Sequence, residues 1–228
     1  MLAMNITDKI ISLDPTLEKF QEGTWHDPEC YGVLPGKFSS FNDAGIECET
    51  GEFLYSLARL LKPEHVLETG THWGIGASYL GMALKENDKG HLDTVEFLPE
   101  IQSRAVQRIA TLGLNDQVTC WLMDVAQFQP THKYKLILLD TEPQTRFAEL
   151  IKFFEFLEPG GFVFIHDLHR HMHQIPNEER GFAWPYGEIP AAIKAMVINE
   201  TLRPFHFSTP RGLTGFYKPH PEDYKWDT

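Results

Sequence analysis

Five acidic residues stand at the ends of short strand-like runs or within two residues of them: Glu68 after Val66-Leu67, Glu96 after His91–Val95, Asp124 after Val118–Leu122, Asp140 after Tyr134–Leu139, and Asp167 after Phe162–Ile165. Carboxylates accept hydrogen bonds without donating them, and they are hard ligands for divalent cations. Behind Glu68 stand Gly70, Gly74 and Gly76, in the stretch Thr69-Gly70-Thr71-His72-Trp73-Gly74-Ile75-Gly76-Ala77-Ser78. Glycine tolerates positive φ and lets backbone come close to a ligand. A helix starting there turns its N–H groups and dipole on whatever occupies the turn. A nucleotide-like ligand is the usual occupant of that place, at the carboxyl end of a parallel strand. The spacing departs from G-x-G-x-x-G, so a pyrophosphate cradle is not the first choice, and an ordinary strand–helix turn is the competing explanation. Four histidines, His166, His169, His171 and His173, fall within eight residues. Imidazole serves as a general base near neutral pH or as a metal ligand. An exposed polar loop with incidental histidines accounts for them equally well.

The elements that must position these residues are read from periodicity and breakers. Glu47 to Leu61 carries an apolar stripe (Phe53, Leu54, Leu57, Ala58, Leu60, Leu61) and ends before Pro63. Strand 66–69 leads into a helix over about 76–86, and strand 91–96 into a helix opened by Pro99 and closed by Gly113. Strands 118–122 and 134–139 follow, then a helix over about 144–157, the turn Pro159-Gly160-Gly161, and strand 162–165. A helix over 189–199 precedes a hairpin of 204–208 and 213–217, joined by Thr209-Pro210-Arg211-Gly212. Strands alternating with helices make a parallel sheet covered on both faces, with binding groups at the carboxyl ends of the strands. Towards the start, Thr7 to Phe20 has helical periodicity interrupted by Pro15. Residues 22–46, with Trp25, Tyr31, Phe38 and Phe41, look like an ordered loop or lid. Residues 168–187 form a polar insertion rich in His and Pro.

The chain has 228 residues, enough for one α/β domain with a sizeable core. A net charge of −12 and a pI near 5.3 argue against a nucleic-acid partner, which calls for a basic surface. The three cysteines, Cys30, Cys48 and Cys120, give neither a disulfide framework nor a zinc spacing. No apolar run reaches the ~18 residues of a membrane span. Asp8, Asp14 and Glu18 are out of place in a signal peptide. The expectation is a cytoplasmic protein with no membrane association, either a monomer or a homodimer.

The pattern Glu68-x-Gly70-x-x-x-Gly74-x-Gly76-Ala77 resembles the first motif of class I S-adenosylmethionine (SAM)-dependent methyltransferases. The stretch 47–218 as a whole is most similar to the small metal-dependent O-methyltransferases, of the catechol type and of the bacterial sugar and natural-product type. The resemblance implies a Rossmann-like three-layer sandwich with a seven-stranded, mostly parallel sheet in the order 3-2-1-4-5-7-6 and an antiparallel last strand. It implies a methyltransferase domain over 47–228, with 1–46 as an extension or lid. It also implies a cofactor site. Glu68 and the Gly70–Gly74 turn, with Thr71, His72 and Ser78, would meet the methionine part. Glu96, beside Phe97, would accept from the ribose hydroxyls, and Asp124 with Val125 would border the adenine.

By the same resemblance Asp140 and Asp167 would hold a divalent cation, and the imidazole of neighbouring His166 is a further candidate ligand. Magnesium is the family's usual ion, and histidine ligands would favour manganese, iron or zinc. Asp140 would thus serve both the cofactor site and catalysis. Two departures stand out. Leu168 follows Asp167 where the family often has a third ligand, and Pro143 stands where the catechol enzymes place a lysine base. His169 is then the preferred base or metal ligand, ahead of His171. The expected activity is transfer of a methyl group to a hydroxyl oxygen of a small molecule. The alternatives are a metal-dependent oxygenase or hydrolase on the same scaffold, and a non-catalytic SAM-binding protein.

Overall fold

The computed structural model describes residues 4–22, 38–41, 45–168, 189–207 and 211–223. They fall into two compact units, one ending at Gln129 and the other beginning at Pro130.

The first unit opens with α1 (Ile6–Leu13), whose N-cap Asn5 accepts a hydrogen bond from the Asp8 N–H at 2.8 Å. The helical periodicity read to Phe20 stops short, because Pro15 forces Asp14 out of the helical region, to φ −119°. Strand β1 (Lys19–Glu22) then pairs antiparallel with β2 (Phe38–Phe41), Lys19 opposite Phe41 and Glu22 opposite Phe38. This short ribbon was read as helix end and lid. Four-residue strands carry too few alternations to announce themselves.

Helix α2 (Cys48–Leu61) ends at Lys62, in the left-handed conformation, directly before Pro63. Strand β3 (His65–Thr69) leads through the glycine turn into α3 (Ile75–Asn87), which is buried at every position from Ile75 to Leu84. Its tight packing on α2 depends on Gly51, where an added Cβ would lie 2.3 Å from the Tyr79 ring. Strand β4 (His91–Glu96) precedes α4 (Pro99–Thr111), with proline at the first turn as expected. Strand β5 (Val118–Leu122) completes the unit. Parallel pairing sets Thr69 against Val95 and Glu96 against Leu122, so the carboxyl ends of β3, β4 and β5 lie side by side.

The second unit contains β6 (Tyr134–Leu139), α5 (Arg146–Phe153), a 3₁₀ turn (Phe154–Phe156), β7 (Leu157–His166), α6 (Ala191–Ile198), β8 (Arg203–Phe207) and β9 (Leu213–Tyr217). Helix α5 is shorter than its apolar pattern, and the Pro159-Gly160-Gly161 turn lies inside the longer β7. Strands β6 and β7 are parallel, while β9 is antiparallel to both β7 and β8. Phe164 meets Phe205 edge to face at 5.7 Å, over Gly215, where a Cβ would lie 2.2 Å from the Phe205 ring.

The seven-stranded sheet runs β5-β4-β3-β6-β7-β9-β8. Counted from β3, that is 3-2-1-4-5-7-6 with an antiparallel last strand, the Rossmann-like order the resemblance implied. The described parts of β3 and β4 are almost wholly buried, as parallel strands between helical layers must be. No described helix is long and apolar enough to cross a membrane.

Candidate active site

In the first unit the carboxyl ends of β3 and β4 are joined by side chains as well as by backbone. Glu68 is buried and accepts a 2.5 Å hydrogen bond from the Thr94 hydroxyl, which in turn meets the Thr71 hydroxyl at 2.5 Å. The Gly70 and Thr71 N–H groups both donate to the Val95 carbonyl, at 2.9 and 3.2 Å. Gly70 at φ 77° and Gly74 at φ 81° lie in the left-handed region that glycine enters without cost. His72 is there too, at φ 47°, and its N–H donates to Glu96 Oε2 at 3.0 Å. Glu96 Oε1 accepts from the Phe97 and Leu98 N–H groups, each at 3.0 Å. A single carboxylate thus fixes the β3 turn to the start of α4.

Of the remaining expected cofactor residues, Phe97 is 60% exposed beside Glu96. Asp124 is exposed after β5 and accepts from the Ala126 N–H at 2.7 Å, with half-buried Val125 between them. Ser78 is fully buried and donates to the Gly74 carbonyl at 2.6 Å, within the first turn of α3.

Arg108 of α4, to which the sequence reading gave no role, braces this turn from behind. It is buried, donates to the Trp73 carbonyl through NH1, and pairs through Nε with Asp14 at 3.0 Å. Asp14 caps the C-terminus of α1, where the helix dipole disfavours a negative charge. An acid at a helix C-terminus was the sequence signal that a cationic partner had to come from elsewhere. The Arg104 guanidinium lies 4.9 Å from the Trp73 ring centre, a cation–π contact on the same turn.

In the second unit β6 and β7 bring Asp140, His166 and Asp167 together, with one ligand atom from each within 4.8 Å of the others. His166 is fully buried, and its Nδ1 lies 3.0 Å from Asp140 Oδ1. Two arginines join them. Arg146, at the start of α5, reaches Asp140 Oδ1 at 3.1 Å and Asp167 Oδ2 at 3.7 Å, and donates to the Thr141 and His166 carbonyls. Arg211, before β9, forks onto Asp167, Nε to Oδ1 at 2.8 Å and NH2 to Oδ2 at 3.0 Å. Burial pushes the Asp167 carboxyl up, but the Arg211, His166 and Arg146 charges outweigh it and hold the group well below the usual carboxylate range. His169, the expected base, and His171 lie outside the described residues, as does most of the 168–187 insertion.

The cation implied by the resemblance can be tested against this donor set. Two guanidiniums already lie against the two carboxylates, with both Asp167 oxygens inside the Arg211 fork. A divalent ion would add two positive charges beside them where Asp167 is 5% exposed, which costs several kcal/mol per charge. The residues as arranged do not fit a divalent cation.

Residues 67–168, which span β3 to the end of β7, match the family model described as "Methyltransferase domain". That stretch, less than half of the chain, is similar to methyltransferase domains. A provisionally named O-methyltransferase of Mycobacterium sp. (strain JLS) is 29% identical over 120 residues, covering 51% of this chain and 54% of that protein. The chain thus spans about half the length of the curated relatives it matches. Among solved structures, a provisionally named O-methyltransferase from Klebsiella pneumoniae aligns over 96% of this chain and 92% of its own, with TM-score 0.65 and 16% identity. The O-methyltransferase from Bacillus cereus in complex with SAH aligns over 76% and 82%, with TM-score 0.63 and 17% identity. At these identities the likeness is one of fold.

Proposed function

We propose that this chain binds S-adenosylmethionine through its methyltransferase domain and transfers the methyl group to an oxygen of a small molecule. One observation carries the reading. A match to a methyltransferase domain covers the stretch in which Glu68, the glycine turn and Glu96 close consecutive parallel strands. A carboxylate has about four acceptor positions, and backbone N–H groups fill three of those on Glu96. The fourth, on Oε2, suits one ribose hydroxyl, and exposed Phe97 beside it suits the adenine face. The relative crystallised with SAH supports the choice of cofactor.

Methyl transfer from a sulfonium needs alignment and a deprotonated nucleophile. The reading assigns the acceptor's proton to Asp140 or to His169. Arg146 and His166 hold Asp140 Oδ1, while Oδ2 accepts no hydrogen bond from the described residues and the side chain is 17% exposed. That leaves an oriented carboxylate oxygen able to take a proton. We further propose that the domain spans 47–228 with 1–46 as an extension or lid, in a cytoplasmic enzyme acting on small molecules.

Calorimetric titration with S-adenosylhomocysteine tests the cofactor assignment, and absence of binding to folded protein removes it. Gly70→Val tests the position. At φ 77° a β-branched residue is strained by about 1–3 kcal/mol and brings a side chain to the turn, so binding should vanish while the chain stays folded. Normal affinity in this variant would move the ligand off the turn. Once an acceptor is known, Asp140→Asn and His169→Ala separate the two bases. The one that carries the proton lowers turnover and leaves S-adenosylhomocysteine affinity unchanged.

A further inference from the structure

The Asp140–His166–Asp167 cluster has the spacing of a metal site, and two guanidiniums lie against its carboxylates. We propose that Arg146 and Arg211 occupy the electrostatic role of a divalent cation here, so that this methyltransferase domain works without one and Arg211 keeps such ions out. The inference refines the proposed function, because it concerns how the acceptor side of that site is held.

Three observations carry it. First, the Arg211 fork engages both oxygens of Asp167, and a cation would have to displace it. Second, Arg146 is 4% exposed and is tied by its other nitrogens to the Thr141 and His166 carbonyls, so it is part of the sheet end and not a passing surface cation. Third, the cage crosses elements. It links the end of β6, the start of α5, the end of β7 and the start of β9, while the Thr214 hydroxyl donates to the Leu168 carbonyl at 2.7 Å. Asp167 itself sits at φ 56°, a left-handed position that its ion pairs hold in place. A guanidinium is weakly hydrated, planar and always charged, which suits it to permanent burial between carboxylates better than an ion that exchanges with solvent. The cage therefore fixes the point at which the chain leaves β7, and it orients Asp140 Oδ1 with nothing to load or lose.

The test is a titration of the chelator-treated 228-residue chain with Mn²⁺, followed by calorimetry and by the loss of the free-ion paramagnetic resonance signal. Wild type should bind no Mn²⁺ at millimolar concentration, and EDTA should leave methyl transfer unchanged once an acceptor is found. Arg211→Met should gain Mn²⁺ binding, because both Asp167 oxygens then lose their fork beside Asp140 and one positive charge is gone, whereas Arg211→Lys, which keeps the charge, should not. Stoichiometric Mn²⁺ binding by wild type that Asp140→Asn or Asp167→Asn abolishes would overturn the proposal. A folded Arg211→Met that stays blind to Mn²⁺ would overturn the excluding role of the guanidinium. If Arg211→Met does not fold, the wild-type titration and the chelation arm decide alone. Because S-adenosylhomocysteine binding is measured separately, failure of the cofactor assignment would show there and leave the metal result standing.

Discussion

Glu96→Ala is expected to lower S-adenosylhomocysteine affinity by roughly 30- to 1000-fold, or about 2–4 kcal/mol. The residue is 7% exposed and accepts from the His72, Phe97 and Leu98 N–H groups. Removing it takes away the proposed ribose acceptor. It also takes away the charge-assisted bonds that hold the β3 turn against α4, so the melting temperature should fall as well. Glu96→Gln separates the two effects. It keeps the size and one acceptor oxygen, but its NH2 group faces N–H donors on one side, so affinity should fall between that of wild type and Glu96→Ala. Calorimetric affinity, with circular dichroism to confirm folding, measures both. A folded Glu96→Ala protein with wild-type affinity would sink the placement of the ribose.

Arg108→Met should cost about 3–5 kcal/mol of stability at neutral pH, since it strands a buried carboxylate. Asp14 and Arg108 are both buried, and their ion pair is 3.0 Å long. The sign of the pH effect follows from Asp14. Burial pushes its carboxyl up, but the Thr16 hydroxyl and N–H and the Arg108 guanidinium pull harder, and the net shift is downward. A depressed carboxyl contributes stability that is present above its unfolded value, about 3.9, and is lost as pH falls through the lower folded value. In Arg108→Met, by contrast, protonation relieves the stranded charge. The stability gap between wild type and variant should therefore be widest near neutral pH, begin to shrink as pH falls through the variant's raised carboxyl value, above about 3.9, and close toward the lowered wild-type value. Urea unfolding at several pH values measures it, and a gap that does not change with pH would show that lost packing, not the ion pair, sets the cost. Because Arg108 also donates to the Trp73 carbonyl, S-adenosylhomocysteine affinity should weaken in the same variant.

Much of this was legible in the chain. Strands β3 to β7 and the helices between them announced themselves through apolar period, Pro63, Pro99 and the glycine turn, because those signals act over a few residues. The acids at the strand ends were legible for the same reason. Their partners were not. Asp14 finds Arg108 across 94 positions, and Asp167 finds Arg211 across 44. Even Arg146, six residues past Asp140, reads as an ordinary first-turn helical residue until the fold turns it onto the sheet. Sequence determined where carboxylates would gather. Only tertiary structure decided that guanidiniums meet them, because charge pairing depends on distance in space and leaves no local period in the chain.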